Sequence, residues 1–142
     1  MGRLHLHYEV DGDDFIAAGE ASSDVKRVLK QLNFDSDTVR RTAICMYEGE
    51  INMMIHAKGG RADVTIGESD IEIVLADTGP GIADIDLAMQ EGYSTATQEI
   101  RNLGFGAGMG LPNIQRNADH LELQSEVGVG TTLTIRIEPK GA

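Results

Sequence analysis

Three polar residues, Glu48, Asn52 and His56, recur at four-residue intervals in a segment with helical periodicity. Residues four apart share one face of a helix, so an acid and an amide would point the same way, one turn apart. The carboxylate could act as a general base on a hydroxyl group or a water, and an amide oxygen is a ligand that Mg²⁺ accepts. Taken alone, however, three such residues more often form a solvated helix edge. Glu50 lies on a different face from Asn52, which makes it the weaker candidate for the base.

A second candidate has the pattern Asp-x-Gly-x-Gly and directly follows an apolar segment, residues 71–76. Its acid is Asp77 and its glycines are Gly79 and Gly81. A carboxylate at the end of a buried strand needs polar partners, because burying it unpaired is costly. The exocyclic amine of adenine is one such partner, and glycines let a ligand approach the backbone closely. The alternative is a tight turn in which Asp77 caps its own backbone.

A third candidate is a run of four glycines at two-residue spacing that leads into a predicted helix: Gly104, Gly106, Gly108 and Gly110. Alternating glycines free the backbone, so that successive N–H groups can converge on an anion, and the helix start adds unpaired N–H groups. Together they could hold a triphosphate without a lysine. A flexible linker is the alternative, but linkers rarely lead straight into an amphipathic helix. The spacing matches neither the P-loop nor the dinucleotide-binding pattern.

The last candidate, Gly128-Val129-Gly130-Thr131-Thr132, lies between the final two predicted strands. By itself this segment is an ordinary turn. Beside a phosphate-binding loop, the Thr131 hydroxyl could donate a hydrogen bond to a phosphate or to a water bound at adenine.

The composition excludes several classes of function. The chain has 142 residues, with 12 basic and 23 acidic side chains and a formal net charge of −11. A surface this acidic repels phosphate backbones, so we do not expect nucleic-acid binding. No apolar run approaches the roughly 18 residues of a membrane span, and the N-terminus lacks a signal-peptide pattern. Cys45 is the single cysteine, which excludes an intrachain disulfide. We expect a soluble, cytoplasmic protein with one domain over residues 1–142.

The elements that must position these residues follow from hydrophobic periodicity, which predicts the order β-α-α-β-β-(loop)-α-β-β. The predicted strands cover residues 4–10, 62–66, 71–76, 121–125 and 132–137, and the predicted helices cover 15–32, 37–57 and 110–118. The predicted buried face of the second helix consists of Ile44, Tyr47, Ile51 and Ile55. This order favours an α+β fold, a two-layer α/β sandwich with a mostly antiparallel, mixed sheet and helices on one face.

Taken together and in this order, the four patterns resemble the N, G1, G2 and GT boxes of the GHKL, or Bergerat-fold, ATPase superfamily. They are Glu-x-x-x-Asn, Asp-x-Gly-x-Gly, Gly-x-Gly-x-Gly-x-Gly-Leu and Gly-x-Gly-Thr, and they span Glu48 to Thr132. The small size and the sequence Gly-Leu-Pro-Asn-Ile at residues 110–114 make the chain most similar to bacterial anti-sigma-factor and stressosome switch serine/threonine kinases.

The resemblance implies a role for each matching residue. Glu48 would be the general base, Asn52 would bind Mg²⁺, and Asp77 would bind the adenine amine. Residues 82–103 would form the lid over ATP. The remaining implied nucleotide-binding residues are Gly79, Gly81, Ile82, Gly104, Gly106, Gly108, Gly110, Leu111 and Thr131.

The resemblance also implies an activity, which is transfer of the ATP γ-phosphate to a serine or threonine of a STAS-domain antagonist protein. A sigma factor or a phosphatase activator is a further implied partner, and homodimers are common among relatives of the anti-sigma type. Two alternatives remain. The chain could be a binding module that uses nucleotide to fix its conformation and sequesters a partner, or, with less support, the detached catalytic domain of a histidine kinase.

One feature departs from the family pattern. N boxes usually carry small or aliphatic residues between the acid and the amide, whereas Gly49, Glu50 and Ile51 stand there in this chain. A second carboxylate beside the site would either alter Mg²⁺ affinity or face the solvent.

Overall fold

The computed structural model describes residues 3–12, 18–57, 59–82, 89 and 110–139, and three helices and five strands lie within these ranges. In chain order they are β1 (Leu4–Asp11), α1 (Glu20–Gln31), α2 (Ser36–Ala57), β2 (Gly59–Ile66), β3 (Ile71–Ala76), α3 (Gly110–Asn117), β4 (His120–Glu126) and β5 (Gly130–Ile137). None of these helices is long and apolar enough to cross a membrane.

The five strands form one sheet in the order β1-β2-β3-β5-β4. All four neighbouring pairs are antiparallel, so the described part of the sheet contains no parallel pair. β3 is the central strand, and the chain leaves it at Asp77. The predicted α+β class and the mostly antiparallel sheet are confirmed.

The strand register places apolar side chains on one face of the sheet. One row across all five strands aligns Leu6, Val64, Ile73, Ile135 and Leu121. The helices cover this face, and the next residue along each strand belongs to the opposite face. The result is the predicted two-layer arrangement.

Helix α1 is shorter than predicted. Instead of starting near residue 15, it begins at Glu20, after a turn that contains Gly19. Gly19 has φ 92, a left-handed conformation that a helix interior does not accept. Residues 13–17, where the predicted helix would have begun, lie outside the described part of the chain.

Helix α2 buries a broader surface than the predicted single stripe. Of the predicted face, Ile51 is buried, Ile44 and Ile55 are half-buried, and Tyr47 is 40% exposed, so the prediction is wrong for Tyr47. The reason is that α2 contacts three neighbours: the sheet, α1 and α3. Its buried residues therefore extend around much of its circumference. They are Thr38, Val39, Arg41, Thr42, Cys45, Met46, Gly49, Glu50, Ile51, Met53 and Met54.

Gly49, which follows the acid of the N box, lies where α2 packs on the sheet. A Cβ atom at this position would lie 2.2 Å from Cδ1 of Leu75 on β3. Such a distance is far inside van der Waals contact, so the absent side chain lets α2 lie close against the central strand. The glycine is therefore needed for packing.

A buried arginine fixes α3 relative to α2. Arg41 donates from Nε to Asp37 at 3.0 Å, from Nη1 to Asp119 at 3.0 Å, and from Nη2 to the Glu138 carbonyl oxygen at 3.0 Å. The Glu138 backbone N–H and the Arg41 guanidinium hold the pKa of the Asp119 carboxyl below its usual range. Because Asp119 directly precedes β4, this network anchors the connection that follows α3.

Candidate functional site

Glu48 and Asn52 lie one turn apart on α2, and the start of α3 faces Asn52. A Cβ atom on Gly110, the first residue of α3, would lie 2.9 Å from Asn52 Oδ1 and 3.1 Å from Asn52 Nδ2. Glycine therefore lets the helix start approach the amide closely. Within the described ranges, the Asn52 side chain makes no hydrogen bond, so its oxygen is available to a ligand.

Glu48 is held from α3 by a residue that the motifs did not single out. Asn113 Nδ2 donates to Glu48 Oε1 at 3.3 Å. Arg116 Nη2 donates in turn to Asn113 Oδ1 at 2.7 Å. The spacing of Asn113 from Gly110 is the sequence signal that could have found it, because residues three apart share a helix face.

Asp77 follows β3. One of its carboxylate oxygens accepts the hydrogen bonds of the predicted turn, and no described residue bonds to the other. Its Oδ1 accepts hydrogen bonds from the backbone N–H groups of Gly79 at 2.9 Å and Thr131 at 3.1 Å. Its own N–H donates to the Thr131 carbonyl oxygen at 3.0 Å. No described residue forms a hydrogen bond with Asp77 Oδ2. The turn interpretation and the ligand interpretation are thus compatible, because they use different oxygens of one carboxylate.

Gly79 joins this turn to the end of α2. A Cβ atom at Gly79 would lie 2.5 Å from the Cβ of Ala57, the last residue of the helix. Ala57 is nine residues beyond Glu48, or about 13 Å along the helix axis. The Asp77 turn therefore contacts α2 about two and a half turns beyond Glu48, and this separation along the helix axis suits an elongated ligand.

The β4–β5 hairpin borders the segment that follows Asp77. Gly81 has φ 78, and a Cβ there would lie 2.4 Å from the Glu126 carbonyl oxygen. The Ile82 backbone N–H donates to Ser125 Oγ at 2.6 Å, and Ser125 Oγ is 2.9 Å from Thr131 Oγ1. Sequence reasoning missed Ser125, although its position opposite Thr131 in the hairpin was a usable signal.

The remaining predicted site residues divide into two groups. Leu111 is buried, 9% exposed, and belongs to the hydrophobic core. Gly104, Gly106 and Gly108 lie outside the described residues, as does the predicted lid apart from Ile82 and Met89.

Glu50 has a structural role, and the expectation that it faces the solvent is wrong. It is 4% exposed, and its carboxylate accepts backbone N–H bonds from Gly19 at 3.1 Å, Ala21 at 3.4 Å and Ser22 at 3.3 Å. These donors lie at the N-terminus of α1, where Gly19 has no side chain to cap the helix. Burial raises the pKa of the Glu50 carboxyl, and the three backbone donors oppose that rise.

We expect Glu50→Ala to lower the free energy of unfolding by about 1–3 kcal/mol, because the donors at the start of α1 lose their acceptor inside the protein. Urea denaturation followed by circular dichroism measures the change. Glu20→Ala is the matched control, because Glu20 is exposed in the first turn of the same helix. Equal stability of the two variants would contradict the capping role.

Comparison with known proteins bears on what this site accommodates. The model of the family described as histidine kinase-, DNA gyrase B- and HSP90-like ATPases matches residues 45–141, more than half of the chain. The chain belongs to this ATPase family. Membership implies that ATP is a substrate of the chain. The motif resemblance to GHKL ATPases is confirmed.

Two relatives of this ATPase-family chain share most of its length. It is 30% identical over 124 residues to the serine/threonine-protein kinase RsbT of Bacillus subtilis, a match that covers 84% of this chain and 85% of that protein. It is 29% identical over 118 residues to an anti-sigma F factor of Clostridium beijerinckii, with 79% of each chain covered. Both names agree with the branch that the motifs indicated.

A solved structure supports the fold. The crystal structure of the RsbU and RsbW domains of a Mycobacterium tuberculosis protein matches with a TM-score of 0.63 and 14% sequence identity. The match covers 98% of this chain and 33% of the other, so this ATPase-family chain corresponds to about a third of that protein. At this identity the likeness concerns the fold alone.

Proposed function

We propose that this chain is a serine/threonine protein kinase of a partner-switching system, which transfers the ATP γ-phosphate to a STAS-domain antagonist protein. The observation that carries the proposal is a pair of acids, Glu48 on α2 and Asp77 beyond β3, each with one carboxylate oxygen held and the other left without a described partner. The held oxygens are Glu48 Oε1 and Asp77 Oδ1. The match to a named serine/threonine kinase over most of both chains supports it.

The adenine end of ATP would lie at Asp77. Its Oδ2 can accept a hydrogen bond from the exocyclic amine, while Gly79 and Thr131 keep Oδ1 fixed. Gly81 and Ile82 would border the base from the hairpin side. The nucleotide then runs along α2 toward Glu48.

The phosphate end would lie where α3 begins. Gly110 and the N-terminus of α3 offer backbone N–H groups to an anion, with Leu111 packing beneath them in the core. The glycine run Gly104, Gly106 and Gly108 would complete the phosphate loop. This arrangement suits a chain whose net charge is −11, because backbone groups bind phosphate without added cations.

The described residues also fit Mg²⁺, because Asn52 presents an amide oxygen beside the start of α3, and no described residue forms a hydrogen bond with it. When bound, Mg²⁺ would neutralise charge on the ATP phosphates.

Glu48 would then act on the hydroxyl of the protein substrate. As the serine or threonine oxygen attacks the γ-phosphorus, the hydroxyl proton passes to Glu48 Oε2, and the bond from the γ-phosphorus to the β–γ bridging oxygen breaks to release ADP. The role of the chain is to position the two reactants and to accept this proton. A sigma factor or a phosphatase activator would be the second partner of the switch.

Phosphotransfer assays test the proposal directly. The purified chain is incubated with Mg²⁺ and γ-labelled ATP, together with each STAS-domain protein encoded by its source organism. Acid-stable label on a serine or threonine, located by mass spectrometry, is the expected result. Acid-labile label would indicate histidine phosphorylation instead. Nucleotide-dependent binding of a partner without any label would favour the sequestering module.

Gly110→Ala tests the fit of the Mg²⁺ site. The added methyl would displace the Asn52 amide, so we expect the gain in ADP affinity that Mg²⁺ produces to fall by about tenfold, the effect of losing roughly one ligand bond. Stability should hold or rise slightly, since alanine favours helices over glycine. Calorimetry of ADP with and without Mg²⁺ measures the effect.

Gly67→Ala is the matched control, because Gly67 lies in the β2–β3 turn and the atoms nearest to its added methyl would belong to Arg3 and the Asp70 carbonyl group. If Mg²⁺ raised ADP affinity as much in Gly110→Ala as in the wild type, Asn52 would not be a ligand of the metal.

A further inference from the structure

Asn113 is the one described side chain that forms a hydrogen bond with Glu48, and its own orientation is fixed from the other side. Arg116 Nη2 lies 2.7 Å from Asn113 Oδ1. A guanidinium can only donate, so the oxygen of the Asn113 amide must face Arg116. Its Nδ2 must therefore face Glu48, and this donor–acceptor chemistry settles which way the amide points.

The backbone that carries Asn113 is also anchored. Asn117 Nδ2 donates to the Asn113 carbonyl oxygen at 2.8 Å, and Arg41 Nη1 donates to the Asn117 carbonyl oxygen at 3.3 Å. Arg41 is itself tied to Asp119 beyond the end of α3. The Asn113 amide is thus presented to Glu48 from a helix whose C-terminal end is fixed to the rest of the fold.

A glutamate side chain has three rotatable bonds, and a base that samples many rotamers spends little time aimed at its substrate. The Asn113 bond holds Oε1, and no described residue forms a hydrogen bond with Oε2. The carboxylate therefore keeps one oxygen for positioning and one for the proton.

We propose that Asn113 is a positioning residue for Glu48, with Arg116 orienting its amide, so that Glu48 Oε2 faces the hydroxyl to be deprotonated. This inference rests on the proposed kinase function, because it assumes that Glu48 is the base. It goes beyond that function by assigning to α3 a role in catalysis that is separate from phosphate binding.

Asn113→Asp is the most direct variant, because it keeps the size of the side chain and its bond to Arg116. It replaces the donor that faces Glu48 with a second carboxylate oxygen, which repels the base. We expect the rate of single-turnover Mg²⁺–ATP hydrolysis, with water replacing the protein hydroxyl, to fall about 10- to 100-fold. ADP affinity should stay within about twofold, because Asn113 does not touch the nucleotide in this arrangement.

Gln115→Glu is the matched control. It makes the same amide-to-acid change on an exposed position of the same helix, where no described hydrogen bond reaches Glu48. We expect this variant to hydrolyse ATP at the wild-type rate. Equal rates in Asn113→Asp and Gln115→Glu would overturn the positioning role.

A spectroscopic measurement tests the contact without any turnover. The side-chain amide protons of Asn113 should move upfield in the NMR spectrum of Glu48→Gln, because a neutral acceptor replaces a charged one. The amide signals of Asn33, an exposed residue far along the chain, should not move. Unchanged Asn113 signals would overturn the inference.

These results separate the inference from the function on which it rests. If Glu48→Gln still turns over ATP while the Asn113 signals shift, the contact exists but Glu48 is not the base. If Glu48→Gln is inactive while Asn113→Asp behaves like its control, Glu48 remains the base and Asn113 does not position it.

Discussion

Glu48→Gln is expected to lower phosphoryl transfer to the protein substrate by about 10²- to 10⁴-fold, the usual contribution of a general base. Glutamine matches glutamate in size, and its side-chain oxygen can still accept the bond from Asn113 that Glu48 Oε1 accepts at 3.3 Å. The substitution therefore preserves the geometry and removes only the ability to take up a proton. Mg²⁺–ATP should bind with nearly wild-type affinity, as measured by calorimetry alongside the phosphotransfer assay.

The neighbouring acid on the same helix supplies the control for this experiment. Glu50→Gln makes the same change two residues away, but Glu50 faces α1 and is bonded to its backbone. We expect Glu50→Gln to lose stability while retaining transfer at temperatures where it is folded. Loss of ATP binding and transfer in equal measure in Glu48→Gln would argue against the base, because it would indicate a damaged site.

The elements that carry these acids could be predicted because their signals are local. The predicted strand 71–76 matches β3, where Ile71, Ile73 and Leu75 are buried and alternate with less buried residues. The predicted helix 37–57 differs from α2 by one residue at its start. The turn at Asp77 is local as well, because its Oδ1 accepts from the Gly79 N–H only two residues later.

The contacts that orient the acids could not be predicted in the same way. Glu48 and Asn113 are 65 residues apart, and Glu50 contacts Gly19, which lies 31 residues earlier. Periodicity within one helix shows which residues share a face, but it does not show which neighbouring helix covers that face. An isolated glutamate is normally exposed, so the burial of Glu50 becomes understandable only once the unpaired N–H groups of α1 are placed beside it.

Gly49 is an apolar residue whose contact with a distant element could likewise not be predicted from the sequence. In the sequence it is one of the small residues usual in an N box, and the pattern does not show what it contacts. In the fold it allows α2 to approach Leu75 on the central strand. Gly49 and Glu50, the two residues that follow the acid in the N box, thus both serve the packing of α2 against its neighbours.

Asp77→Asn is expected to weaken ATP binding by about 100-fold, which corresponds to roughly 3 kcal/mol for a charged hydrogen bond replaced by two opposed donors. The asparagine oxygen can still accept the N–H groups of Gly79 and Thr131, which lie 2.9 Å and 3.1 Å from Asp77 Oδ1. The turn should therefore survive. The atom that replaces Oδ2 becomes an NH₂ group, which faces the adenine amine donor with a donor.

The same reversal of polarity predicts a change in base preference. Inosine triphosphate carries an oxygen where ATP carries the amine, so the new NH₂ group at position 77 can donate to it. We expect wild-type protein to prefer ATP over inosine triphosphate and Asp77→Asn to lose or reverse that preference, as measured by competition calorimetry. A general loss of affinity for both nucleotides would instead indicate a collapsed turn.

Asp70→Asn is the control that makes this result interpretable. Asp70 lies just before β3 and pairs with Arg3 and Arg136. Asp77 lies just after β3, about 23 Å away along the strand. Both substitutions convert an acid at one end of the central strand into an amide, but only one alters the oxygen that faces the nucleotide. If Asp70→Asn lowered ATP affinity as much as Asp77→Asn, the loss of affinity would come from net charge or stability. That result would contradict a contact between Asp77 and adenine.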